Sequence, residues 1–97
     1  MKRYLIEVNP QARKDLEESH LWYQNINPLL GKRFSRAVMI AINSLSEYPT
    51  RFQIRFAEIR GISVKGFPYL VLFRIKANKV QIIRVWHTSR NPEDIGS

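Results

Sequence analysis

The side chains whose types and spacing say most about chemistry lie between Arg60 and Pro92, in the stretch RGISVKGFPYLVLFRIKANKVQIIRVWHTSRNP. Arginines and lysines recur there inside apolar, strand-like runs, and the stretch closes on His87-Thr88-Ser89-Arg90. An arginine on a buried sheet face is costly unless it is paired, so packing alone does not call for cations at mid-strand. A face that meets phosphates does. The first expectation is therefore a β-meander with one cationic face, carrying Arg60, Lys65, Arg74, Arg84 and Arg90 as groups able to bind phosphate. His87 adds the one side chain whose ordinary pKa lies near neutrality, which suits it to acid or base work. Its structural reading is a strand-ending histidine that bonds to nearby backbone. His20 sits within a helical pattern and is given no role.

Composition narrows the classes. Ninety-seven residues allow one domain, expected over residues 1–97, and 44% hydrophobic content is normal for a packed core. With no cysteine, neither a disulfide framework nor a cysteine metal site can form. Two histidines far apart, without clustered carboxylates, do not make a metal site, and neither a metal nor a cofactor is expected. There is no glycine loop to cradle phosphates and no serine or cysteine triad arrangement. Met1-Lys2-Arg3 leads into only a few apolar residues, and no apolar run nears the roughly 20 residues that span a membrane. A cytoplasmic chain without membrane contact is expected. The net charge is +8, and residues 51–97 hold nine cations against Glu58, Glu93 and Asp94. That asymmetry points to a nucleic-acid or acidic protein partner, with a solubilising surface as the plainer reading.

The elements that must position these groups are legible in periodicity. Arg3–Val8 alternates as a first strand. Asn9-Pro10 and Asn27-Pro28 each supply an N-cap followed by a proline that needs no amide donor. The first helix is predicted to run to about Ile26, with Ala12, Leu16, Tyr23 and Ile26 on one stripe and Trp22 at its edge. The second is predicted to run to about Glu47, with Leu30, Phe34, Ala37, Val38, Ala41 and Leu45 at helical spacing, and to end before Pro49. Period two then takes over in residues 52–58, 60–65, 69–76 and 79–87, with turns at Gly61, Lys65-Gly66 and Ala77-Asn78. The order β-α-α-β-β-β(-β) predicts a two-layer α+β fold: an antiparallel helix hairpin on one face of a small, twisted, mostly antiparallel sheet. Alternation puts Val80, Ile82, Arg84 and Trp86 on one side of the last strand and Gln81, Ile83, Val85 and His87 on the other. Arg74 and Arg84 are then expected to share the open face, unless each reaches the sheet edge or pairs with Glu58.

The two amphipathic helices, GFPYLVLFR and the ending IIRVWHTSRNP resemble the RelE/ParE superfamily of bacterial toxins over nearly the whole chain. FPY and V-x-H-x-x-R-x-P resemble the plasmid-stabilisation, ParE-like branch in particular. The resemblance implies the toxin of a type II toxin–antitoxin system, held silent in a hetero-oligomer by a cognate antitoxin. ParE-like members inhibit growth by binding DNA gyrase. RelE-like members are metal-independent endoribonucleases (mRNA interferases) that cut mRNA on the ribosome. A third reading is a non-toxic basic RNA- or ribosome-binding module of the same fold.

Residue by residue, Arg90 falls near an arginine of the RelE branch, Lys65 near a cation that precedes the central strand, and His87 near the histidine of YoeB-like members. If the substrate is RNA, the resemblance implies His87, Arg90 and Arg84 as catalytic groups. The tail NPEDIGS brings no tyrosine to act as acid. Leu21, Met39 and Ile42, taken to lie outside the core stripes, are the candidate antitoxin contacts.

Overall fold

The computed structural model describes residues 3–91 and Asp94. Along the chain run β1 (Leu5–Val8), α1 (Pro10–Ile26), α2 (Pro28–Ser44), a 3-10 turn at Pro49–Arg51, β2 (Ile54–Phe56), β3 (Ile59–Ser63), β4 (Tyr69–Lys76) and β5 (Lys79–His87). The strands form one sheet in the order β1-β5-β4-β3-β2. The hairpin-linked pairs are antiparallel, while the helical excursion returns β5 parallel to β1. The two-layer α+β architecture is the one the alternation predicts. Among the described residues, no helix is long and apolar enough to cross a membrane.

Both Asn-Pro steps start helices where expected. Asn27 caps α2 by accepting from Leu29 N–H at 2.9 Å, whereas Asn9 makes no side-chain cap. α1 packs on β5 and α2 on β4. The interior is built from Ala12, Phe34, Val38, Ala41 and Ile42 of the helices and Leu45 just after α2, against Val71, Phe73, Val80, Ile82 and Val85 of the sheet. At one end Tyr23, Phe34, Phe67 and Tyr69 form an aromatic cluster with ring centroids 4.9–6.2 Å apart.

Four expectations change. α2 ends at Ser44, before Glu47, because Leu45–Glu47 leave the helix as a turn that ties Tyr4 N–H to Ser46 O at 2.7 Å. Ile26 is exposed, since the buried stripe of α1 finishes at Tyr23 in the aromatic cluster. Gly61 lies inside β3 rather than in a turn; the β2–β3 turn is at Ala57-Glu58, with Ala57 at φ 50°. A side chain at Gly61 would sit 3.3 Å from Arg55 Cγ and 3.4 Å from Leu72 Cδ2, so its small size serves a close approach. Finally, Ile42 is 4% exposed. It follows Val38 by one helical turn, which returns it to the core face.

The helix hairpin is closed by an equally close approach. A Cβ on Gly31 would stand 2.9 Å from Gln24 Cβ. Beside it His20 Nδ1 lies 3.0 Å from Gly31 O and 2.7 Å from Ser35 Oγ. The carbonyl can only accept, which assigns the proton to Nδ1 and lets Ser35 Oγ accept as well. Overpacking costs about 1–3 kcal/mol, against the ~1 kcal/mol that alanine gains over glycine in a helix. Gly31→Ala is therefore expected to lower the thermal midpoint, measured by far-UV circular dichroism.

A second prediction comes from Tyr23, whose pKa is raised by burial and then by its neighbour and hydrogen-bond partner Tyr69. With the folded pKa above the unfolded one, the linked stability is full below about pH 10 and is lost as pH rises through the folded value. Tyr23→Phe is expected to flatten this alkaline decline in unfolding measurements.

Candidate functional site: the sheet face away from the helices

The β5 strand owes its side-chain directions to a bulge. Leu72 pairs with Arg84 and Phe73 with Ile82, so Ile83 is an extra residue in β5. The bulge breaks the simple alternation expected from sequence. Val80 and Ile82 face the helices, Val85 resumes that face after the bulge, and Trp86 turns to the opposite one. The face away from the helices thus carries Glu7 of β1, Gln81, Arg84 and Trp86 of β5, and Leu70, Leu72, Arg74 and Lys76 of β4.

Arg84 does not stand free on it. Its Nε donates to Asp15 Oδ2 at 2.7 Å and its Nη2 to Asp15 Oδ1 at 3.0 Å. Asp15 Oδ2 also accepts from Val85 N–H at 3.1 Å, and Oδ1 from Gln11 Nε2 at 3.3 Å. Side-chain exposures of 11% for Arg84 and 8% for Asp15 make this a two-point, largely desolvated pair. The bonds to Asp15 raise the pKa of Arg84, and burial opposes them only in part. Its partner is thus Asp15 rather than Glu58, because β1 pairs β5 only as far as Ile82 and α1 lies along the edge beyond. An acid within the apolar stripe of α1, between Ala12 and Leu16, is the sequence signal that could have marked Asp15.

The other candidates are dispersed. The Arg84 and Arg90 guanidinium groups lie 4.9 and 4.0 Å from the Trp86 ring centroid, and Trp86 Nε1 donates to Arg90 O at 3.2 Å. These contacts cover Trp86, which is 2% exposed on a face expected to be open.

Arg60 pairs with Phe73, which puts it on the helix side. Its Nη1 donates to Thr50 O at 2.9 Å and Phe52 O at 2.8 Å, holding the loop after α2 rather than facing a ligand. Lys65 is exposed in the β3–β4 turn beside Gly66, whose φ is 86°. Arg74 Nε donates to Gln81 Oε1 at 2.8 Å.

His87 pairs with Tyr69 on the helix side, their rings edge to face at 5.0 Å. Ser89 N–H donates to His87 Nδ1 at 3.0 Å, with Ser89 Oγ at 2.7 Å. Nδ1 is thus an acceptor, and the neutral ring carries its proton on Nε2. His87 therefore faces away from Arg84 and Arg90, and the three do not converge on one reacting atom. Leu21 and Met39 are exposed on the helices. Pro92 of the V-x-H-x-x-R-x-P motif lies outside the described residues.

Residues 6–92 match the sequence profile of the ParE toxin of the type II toxin–antitoxin system parDE. The chain belongs to the ParE toxin family. Within the wider RelE/ParE superfamily, Toxin RelE2 of Caulobacter vibrioides is 29% identical over 80 residues, covering 82% of this chain and 90% of the relative. Toxin RelE1 of the same organism is 24% identical over 86 residues, covering 87% and 92%. Among solved structures, a chain of the chromosomal ParDE toxin–antitoxin system from P. aeruginosa shares the fold with TM-score 0.78, at 17% identity, covering 87% of this chain and 95% of that one. This ParE-family chain is thus a type II toxin whose sheet is fastened to its first helix by Asp15 and Arg84.

Removing one member of a desolvated pair strands the other, at a cost of about 3–5 kcal/mol. Asp15→Ala is accordingly expected to unfold far more easily in denaturant. A Lys14→Ala control, which loses only an exposed ion pair to Glu18, is expected to unfold like the parent.

Proposed function

We propose that this toxin arrests growth by binding DNA gyrase, and that it does not cut RNA. The observation that carries this reading is the dispersal of the ribonuclease candidates. Cleaving RNA without a metal requires groups that activate the 2′-hydroxyl, stabilise the charged phosphorane and protonate the leaving oxygen around one phosphate. Here Arg84 is neutralised by Asp15, Arg90 is stacked on Trp86, and His87 points to the helix side. Membership of the ParE family and the FPY and V-x-H-x-x-R-x-P segments support gyrase as the target. Exposed Leu21 and Met39 are then candidate contacts for gyrase or for the antitoxin.

A cognate antitoxin silences the toxin, and an acidic segment suits its net charge of +8 by speeding association and adding specificity. The RelE names of the Caulobacter relatives support a second reading, cleavage of mRNA on the ribosome.

Inducing the chain alone and together with its genomic neighbour tests both. The expected result is growth arrest relieved by the neighbour, with gyrase-linked DNA breaks and uncut A-site mRNA. A-site cuts with intact DNA would overturn the gyrase reading. Unimpaired growth of cells holding folded protein would overturn the toxin function itself.

A further inference from the structure

We propose that the end of the β4–β5 hairpin is a phosphate-contacting site through which this chain binds a nucleic-acid backbone directly. The site is independent of which cellular target the toxin has. Lys76 stands directly opposite Lys79 and Arg74 opposite Gln81, so three cations share the face turned away from the helices. Like charges directly opposite one another weaken a strand pair. The connecting turn also holds Ala77 in the left-handed region at φ 56°. That conformation is the one a two-residue hairpin turn requires, whereas the opposed lysines do nothing for the hairpin's folding. Together they bring cations to the rim of a recess of about 380 Å³, lined by Glu58, Arg74, Ile75, Lys76 and Ala77.

The arginine is aimed. Arg74 Nε donates to Gln81 Oε1, and Gln81 Nε2 donates to Glu7 Oε1 at 3.2 Å. This relay fixes the guanidinium through Nε and does not use its two terminal nitrogens, which suit a two-point contact with phosphate. Lys79 meets Glu7 at 3.7 Å with both side chains about half exposed, a weak pair that phosphate can replace. Among the described residues, no carboxylate lies within ion-pair distance of Arg74 or Lys76. Arg74 and Lys76 are about 7 Å apart along the strand, a row that can follow a phosphodiester chain. An acidic protein segment would depend on apolar anchors seated in pockets. The recess offers only Ile75 and Ala77, whereas phosphate contacts need no such anchor.

The test is fluorescence anisotropy of a labelled DNA duplex, titrated with the protein at several salt concentrations. The triple variant Arg74→Ala/Lys76→Ala/Lys79→Ala is compared with Arg13→Ala/Lys32→Ala/Arg36→Ala, which removes the same charge from the helices. Circular dichroism confirms that both are folded. The hairpin variant is expected to bind about tenfold or more weakly, with its salt slope reduced by about 0.9 per cation lost, while the helix variant keeps the parent slope. Glu58→Gln is expected to tighten binding several-fold. Equal losses in both triple variants, or no loss in either, would overturn the proposal. So would a glutamate-rich peptide bound more tightly than the duplex through the same three cations, or full displacement of the duplex by inorganic phosphate at constant ionic strength.

Discussion

Where β1 stops pairing at Ile82, the edge of β5 would turn Val85 N–H outward and leave Arg84 without a counter-charge on a desolvated strand; Asp15 of α1 meets both needs with one carboxylate. Two guanidinium bonds, one backbone bond and one bond from Gln11 satisfy both carboxylate oxygens. The pair therefore does more than join two elements. It sets how α1 lies against the sheet, closes an otherwise unpaired edge and fixes the direction in which the bulged strand continues. Trp86 and Arg90 follow from that direction: the indole turns to the face away from the helices, and the two arginines cover it.

The same arrangement divides the cations by task. Arg84 and Arg60 hold structure, one against a helix carboxylate and the other against loop carbonyls. Arg90 shields a tryptophan. Of the cations left outward on the face, Arg74, Lys76 and Lys79 gather at the far end of the β4–β5 hairpin, while exposed Arg55 lies beside Gly61 and Leu72. A sheet that looks uniformly basic in sequence thus presents a covered centre and a charged tip. This division underlies the proposed reading that the toxin occupies a partner's surface, since a reaction around one phosphate requires several groups within about 3 Å of the reacting atoms.

Much of this was legible in the sequence. The Asn9-Pro10 and Asn27-Pro28 starts and the runs Tyr69–Lys76 and Lys79–His87 fall where periodicity predicts, because capping and alternation are local properties. The site was less legible because its determinants are not local. An extra residue in a strand leaves no composition signal, so Ile83 and the face switch after it were hidden. Alternation could place Arg84 on a face but could not reveal an acid 69 positions earlier in the chain. Arg60 was misread for the same reason, since its partners are backbone carbonyls, which sequence does not display. Ile42 was misjudged by a single helical position, and one residue corresponds to a 100° turn of the helix.

Arg84 is a fixed structural cation rather than a free one, and arginine side-chain nuclear magnetic resonance reads this at the residue itself. With the protein labelled at nitrogen, a separate Arg84 Nε–H signal is expected that exchanges slowly with water and collapses into the bulk arginine signals in Asp15→Asn. An Arg84 signal that already exchanges as fast as exposed Arg13 and Arg36 in the unaltered protein would contradict it.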